Sequence, residues 1–352
     1  MQSKKQIRKP NDKRMLSAML IFMVMAVITG CDTDDNGSDE ITASAQITVN
    51  ETIKEGETPT IIVKPVEGQS AELNQGESAA SSDADADAKQ EAPSASPVLQ
   101  NGQPVSLDSS WQYASYSKIN SGAAVFYAAT ENRLGITVGV NAGHGTSGGG
   151  SVKTYCHPDM TPKVTGGTTA AGETEATAVS GGMSFNNGEK EADVNLRLAR
   201  FIRDELLKRG YDVLMIRDGD DVQLDNVART VICNNMADCH IAIHFDGDGT
   251  GSDKGCFYIS VPDGIKYMEP VDRTWQMSEE LGSQIVTALS NHGHKLHNGG
   301  SMDIDLTQTS YSSIPSVDVE YGNQCSDTSD ANLMDMAVAT ADGVDGFFTV
   351  SN

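Results

Sequence analysis

The strongest constraint on the fold is an alternation of short apolar strands with amphipathic helices that runs from Ile136 to Phe347. In Ile136-Thr137-Val138-Gly139-Val140, apolar residues alternate with small or polar ones, the pattern of a half-buried strand. Glu191–Arg209 sets Val194, Leu198, Phe201, Ile202 and Leu206 on one helical face, and Gly210 supplies the stop. Tyr211–Ile216 reads as a strand and Asn226–Met236 as a helix with Val227, Val231 and Ile232 on one side. His240–Ile243 and Cys256–Val261 are apolar runs of strand length, Val271–Ser290 is helical, Ser316–Glu320 is a strand, and Ser329–Phe347 closes the chain as a helix. A further strand is expected around Ala124–Ala128. Strands separated by helices need crossovers rather than hairpins, so the expected class is α/β with a largely parallel sheet.

In such sheets, side chains at the carboxyl ends of the strands gather at one edge, where ligands bind. His144 follows the first strand, flanked by Gly143 and Gly145, on backbone that a ligand or metal can approach closely. His244 ends the His240–Ile243 strand and Glu320 ends Ser316–Glu320, while Glu191 opens the long helix, where the dipole favours an ionised carboxylate. Two imidazoles and one carboxylate are a zinc set that leaves a fourth position for water, and a further carboxylate near that water suits a general base.

The first 31 residues read as a targeting segment. Six basic groups against one acid precede an uncharged apolar run, Met15–Thr29, too short for the roughly 20 residues of a membrane-spanning helix. Residues 32–110 carry sixteen acids, three lysines and no aromatic residue, and Ser81–Ala88 has no apolar side chain larger than alanine. This stretch is expected to be a disordered acidic linker, with only weak strand-like alternation in Ile41–Pro65. As flexible coil it would span roughly 50 Å, enough to hold a domain off a membrane. The net charge of −24 includes +5 in residues 1–31, −13 in 32–110 and −16 in the remainder. An acidic body without clustered Lys and Arg argues against a nucleic-acid partner.

Two resemblances sharpen these expectations. Ile28-Thr29-Gly30-Cys31 resembles a bacterial lipoprotein cleavage box, which implies lipidation of Cys31 and a chain anchored to the cell membrane outside the cytoplasm. Gly143-His144-Gly145, Glu191-x-x-x-Asn195-Leu196, Arg229-x-x-x-Cys233-Asn234, Ala242-Ile243-His244 and Pro315-Ser316-Val317-Asp318-Val319-Glu320-Tyr321-Gly322 occur in the order seen in zinc-dependent N-acetylmuramoyl-L-alanine amidases. Tyr211–Arg217 is similar to that family's G-x-x-V-x-x-x-R strand. The resemblance implies a single α/β domain with a mixed sheet of about six strands, occupying residues 111–352 with its core at about 136–350. It implies one Zn2+ per chain on His144, Glu191 and His244, with Glu320 as the catalytic glutamate. The implied reaction is hydrolysis of the amide joining the lactyl group of muramic acid to L-alanine in peptidoglycan. The chain departs from the family at Thr146, where a second glycine is usual, at Phe245 and Asp246, and in the length of Thr146–Gly188.

Other readings compete. Glu189 rivals Glu191 as the carboxylate ligand, and Arg229 is expected either to position substrate or, more simply, to form a structural ion pair. Gly143-x-Gly145-x-x-Gly148 spells a dinucleotide fingerprint, but Gly148-Gly149-Gly150-Ser151 continues as loop where a helix must open, so no nucleotide is expected. Cys156, Cys233, Cys239, Cys256 and Cys325 are widely spaced without a Cys-x-x-Cys pair and read as free thiols. Asn291-His292-Gly293-His294 reads as an exposed loop. At the level of function, a zinc peptidase acting on stem or other extracytoplasmic peptides and a non-catalytic wall-binding lipoprotein remain the alternatives. The long Thr146–Gly188 connection, with little periodicity, is expected to serve as a lid or cleft wall.

Overall fold

The computed structural model describes residues 99–350. The targeting segment, Cys31, the Ile41–Pro65 pattern and most of the acidic stretch lie outside the described residues. Two strands, β1 (Gln103–Ser106) and β2 (Ala123–Tyr127), come first, followed by β3 (Thr137–Ala142), a short pair β4 (Lys153–Tyr155) and β5 (Glu175–Thr177), and α1 (Glu191–Lys208). The second half runs β6 (Asp212–Met215), α2 (Asn226–Met236), β7 (Cys239–Asp246), β8 (Cys256–Ser260), α3 (Val271–Asn291), β9 (Leu296–Asp303), α4 (Thr307–Tyr311), β10 (Ser316–Asn323) and α5 (Asp330–Val350).

Eight strands form one sheet in the order β1-β2-β6-β3-β7-β10-β8-β9. Its centre, β6-β3-β7-β10, is parallel, whereas β1 and β2 on one flank and β8 on the other pair antiparallel. Helices cover both faces, so the central strands are buried on both sides and read as continuous apolar runs. In β6, Val213 and Met215 join the core beneath α1, α3 and α5, while Leu214, with Ile216 just past the strand, joins a second core with Ala228 and Ile232 of α2. One strand thereby ties both layers together.

The expected α/β class and mixed sheet hold, with corrections to the strand number and to the start of the folded body. The sheet has eight strands rather than about six, because β1 and β9 lie at its edges with sequences that carry little strand signal. β1 contains Pro104, which an edge strand tolerates, and β9 contains Asn298-Gly299-Gly300. β1 also lies inside the stretch read as linker, so the folded body starts before residue 111. Thr146–Gly188 is not structureless: β4 and β5 pair within it. His157 Nε2 lies 2.9 Å from Asp305 Oδ1, and the Val164 N–H donates to Asp305 Oδ2 at 2.7 Å. These contacts pin the segment to the loop between β9 and α4.

Candidate metal and catalytic site

The parallel centre delivers the site. β3 ends just before His144, while His244 in β7 and Glu320 in β10 stand side by side in register. Glu191 is the first residue of α1 and is 3 % exposed. His144 Nε2 lies 2.8 Å from Glu191 Oε1, and His244 Nδ1 lies 3.2 Å from the same oxygen and 3.1 Å from His144 Nε2. Ligands on roughly 2.0–2.1 Å bonds at a tetrahedral ion sit about 3.3 Å apart, so the three atoms are spaced as a shared cation requires. Among the described residues they are the one group of three so disposed.

Each partner is held from behind. His144 Nδ1 lies 2.9 Å from the Ser180 carbonyl, which fixes its proton there and leaves the Nε2 lone pair facing the cluster. Its φ of +63° puts a non-glycine residue in the left-handed region, a strained conformation of the kind found at functional sites. Glu191 Oε2 accepts the Met183 N–H at 2.8 Å, and Oε1 also accepts from Asn195 Nδ2 and the Phe245 N–H, both at 3.2 Å. Burial opposes the charge on Glu191, but the two imidazoles outweigh it and hold the carboxyl far below the usual range. Burial likewise opposes charge on His244, yet Asp318, Glu191 and Glu320 together push it up to about 10. Three carboxylates around two imidazoles make a donor set suited to a divalent cation.

Two buried arginines build the strand end that carries His144. Arg229, 1 % exposed, donates to the carbonyls of Leu224, Ala142 and His144, to Asn141 Oδ1 and to Thr146 Oγ1. Arg217 donates to the carbonyls of Ala142, Gly143 and Ala192. Burial pulls Arg229 down to about 9 and Arg217 down to about 10. The ion pair expected of Arg229 is therefore replaced by a clamp on oxygen atoms. Thr146, a departure from the family pattern, is part of that clamp. Gly143 is required by close approach, since a Cβ there would stand 2.2 Å from His244 Cε1.

The remaining candidates separate cleanly. Glu189 is partly exposed and pairs with Arg197 at 2.8 Å, outside the cluster. His240 is fully buried beside Ser316, and burial pushes it down to about 3. His292 and His294 do not form a free loop; they pair with Asp335 and Asp342 of α5. Four of the five cysteines are buried and all five are free. A cleft of about 610 Å3 opens over the cluster. Its floor includes Asn141, Asp318 and Glu320, and one wall comes from Lys163, Thr168, Thr177 and Gly182 of the long segment. The sequence assigned no role to Arg217, Ser180 or Asp318; Arg217 and Asp318 carried a signal, each lying inside a quoted motif, and Ser180 carried none.

The family profile for N-acetylmuramoyl-L-alanine amidase matches residues 138–344, more than half of the chain. The chain belongs to this family. Among solved structures it is similar to the N-acetylmuramyl-L-alanine amidase Ami1 from Mycobacterium smegmatis, with 18 % identity and a TM-score of 0.52 over 62 % of this chain and 100 % of that one. It is also similar to the apo form of Ami1 from Mycobacterium abscessus, with 20 % identity and a TM-score of 0.51 over 61 % of this chain and 99 % of that one. At these identities the likeness carries the fold. No curated protein matches the chain. Family membership makes this amidase a hydrolase of cell-wall peptidoglycan that works outside the cytoplasm.

Proposed function

We propose that this amidase is zinc-dependent, with one Zn2+ held by His144 Nε2, Glu191 Oε1 and His244 Nδ1, and that Glu320 is its catalytic base. The observation that carries the reading is the convergence of those three atoms to within 2.8–3.2 Å of one another. A bound Zn2+ there would polarise the scissile carbonyl and lower the pKa of its water toward roughly 7. Glu320 lines the same cleft, in register with His244, and its Oε2 is buried without a hydrogen-bond partner among the described residues. Burial, then the Asp318 charge, raise its carboxyl well above the usual range, the direction that suits a base working near neutral pH. Glu320 takes the proton of the attacking water and returns it to the leaving L-alanine nitrogen as the amide bond to the lactyl group breaks. The arginine clamp keeps His144 in its strained conformation, and the wall built by the long segment shapes the side of the cleft against which substrate lies.

The reading extends to location. Cys31 is proposed as the lipidated amino terminus that tethers the catalytic body to the membrane. Among the described residues no helix is long and apolar enough to cross a membrane.

The test of the roles is a paired comparison of zinc content and turnover on purified peptidoglycan. Glu320→Gln is expected to keep about one zinc per chain and lose at least about 100-fold in rate, within the range for a general base. His144→Ala is expected to lose both. Near-full activity in Glu320→Gln would refute its role, and full zinc occupancy in His144→Ala would refute the ligand set.

A further inference from the structure

We propose that Asp318 is a positioning residue for His244, its carboxylate holding the proton on Nε2 of that ring so that Nδ1 turns its lone pair to the metal. The inference rests on the zinc reading above and adds a residue to that site. Asp318 lies in the middle of β10, two positions before Glu320, so strand alternation puts both carboxylates on one face, and both line the cleft. Its neighbour across the parallel pair is Ala242 of β7, which offers no polar side chain. The residue is 8 % exposed, and Oδ1 has no hydrogen-bond partner among the described residues. Nothing in the packing of the strand uses this charge. Oδ2, however, faces His244 Nε2 at 3.7 Å.

The other edge of the ring explains why that matters. Nδ1 faces Glu191 Oε1 and His144 Nε2 at 3.2 and 3.1 Å. A neutral imidazole that offers a lone pair at Nδ1 must carry its proton on Nε2. At 3.7 Å the contact with Asp318 is too long for a direct hydrogen bond, so the attraction is that of a buried charge for an N–H dipole across a gap that water is poorly placed to screen. Gly143 presses on the same ring, leaving no room for a Cβ. The ring is thus set by a glycine against its atoms and a carboxylate at its outer edge. Carboxylates placed behind metal-bound histidines fix the tautomer and raise ligand basicity, and their loss commonly lowers metal affinity about 10–100-fold.

The experiment is Zn2+ titration of the full chain against a competing chelator, for wild type, Asp318→Asn and Asp318→Leu. The absorption spectrum of the Co2+-loaded protein and the Tm of the metal-free protein are recorded alongside. Wild type is expected to bind about one Zn2+, and Asp318→Leu to bind it about 10–100-fold more weakly. Asp318→Asn should lose less, because its amide oxygen still turns the negative end of a dipole toward Nε2. The Co2+ bands of the leucine variant should shift, whatever the change in its metal-free Tm, because the ring that holds the metal has lost its orienting carboxylate. A merely structural role would lower that Tm and leave the spectrum alone. Equal zinc affinity in all three proteins overturns the inference and leaves the zinc reading standing; a wild type that binds no zinc overturns that reading and the inference with it. If the leucine variant does not fold, Asp318→Asn decides: unchanged affinity and an unchanged Co2+ spectrum overturn the inference.

Discussion

At the residue scale, the site depends on two buried arginines that hold backbone oxygens. Among the described residues Arg229 and Arg217 form no ion pair with a carboxylate and are held by carbonyl oxygens at the end of β3. Their placement answers a problem of the parallel sheet: where β3 stops, its carbonyls lose their ladder and need donors. Arg229→Met removes five donated hydrogen bonds and strands two buried oxygens, Asn141 Oδ1 and the His144 carbonyl, at about 1–3 kcal/mol for each group left unsatisfied. Urea denaturation should show a loss of roughly 3 kcal/mol or more, with weakened zinc binding because His144 is no longer held. A variant as stable as wild type would show that the clamp is not structural. Arg229 was legible as important from its place in a motif, but its job was not. Whether an arginine meets a carboxylate or a set of carbonyls depends on a loop folded back from residues far away in sequence.

At the element scale, α1 and β10 were readable from periodicity because apolar faces dictate them. The register that puts Glu320 beside His244 was not, since it follows from how β7 and β10 pair. Asp318 has no role assigned by sequence for a related reason: its motif puts it on the strand face of Glu320, but its approach to His244 follows from the same pairing. The packing of α3 against α5 offers a pH-dependent measurement. His292, just past α3, bonds Asp335 at 3.1 Å and Asp342 at 2.9 Å, and these two carboxylates, Asp335 first, raise its pKa. A raised histidine contributes stability that is complete below its unfolded value of about 6.5 and is lost as pH rises through the folded one. His292 lowers Asp335, and Arg209 with His292 lowers Asp342 against the effect of burial. The carboxylate contribution is therefore present above about pH 3.9 and is lost as pH falls through the folded values. The Tm deficit of His292→Gln should be largest near about pH 5.5 and shrink by about pH 9. A deficit that stays constant across that range would contradict the pairing.

At the scale of the whole molecule, the sequence showed the class, the central strands and the four residues that converge, because each is fixed by local pattern or motif. The edge strands escaped notice because the sheet, not their composition, makes them strands. Gln103-Pro104-Val105-Ser106 is extended because β2 offers it a partner, and Leu296–Asp303 because β8 does. Thr146–Gly188 was legible only as something long enough to matter. Its fold depends on distant anchors such as Asp305, which local reading does not reach. The proposed tether has its own test: Cys31→Ala should move the secreted protein from the membrane to the soluble fraction, and unchanged membrane association would refute lipidation there. The central claim is zinc-dependent cleavage at one bond. Mass spectrometry of the products released from purified peptidoglycan, by chelator-treated protein with and without restored Zn2+, tests it most directly. Intact stem peptides beginning with L-alanine are expected only when zinc is restored. Stem peptides released equally without zinc, or cuts inside the stem, would contradict it.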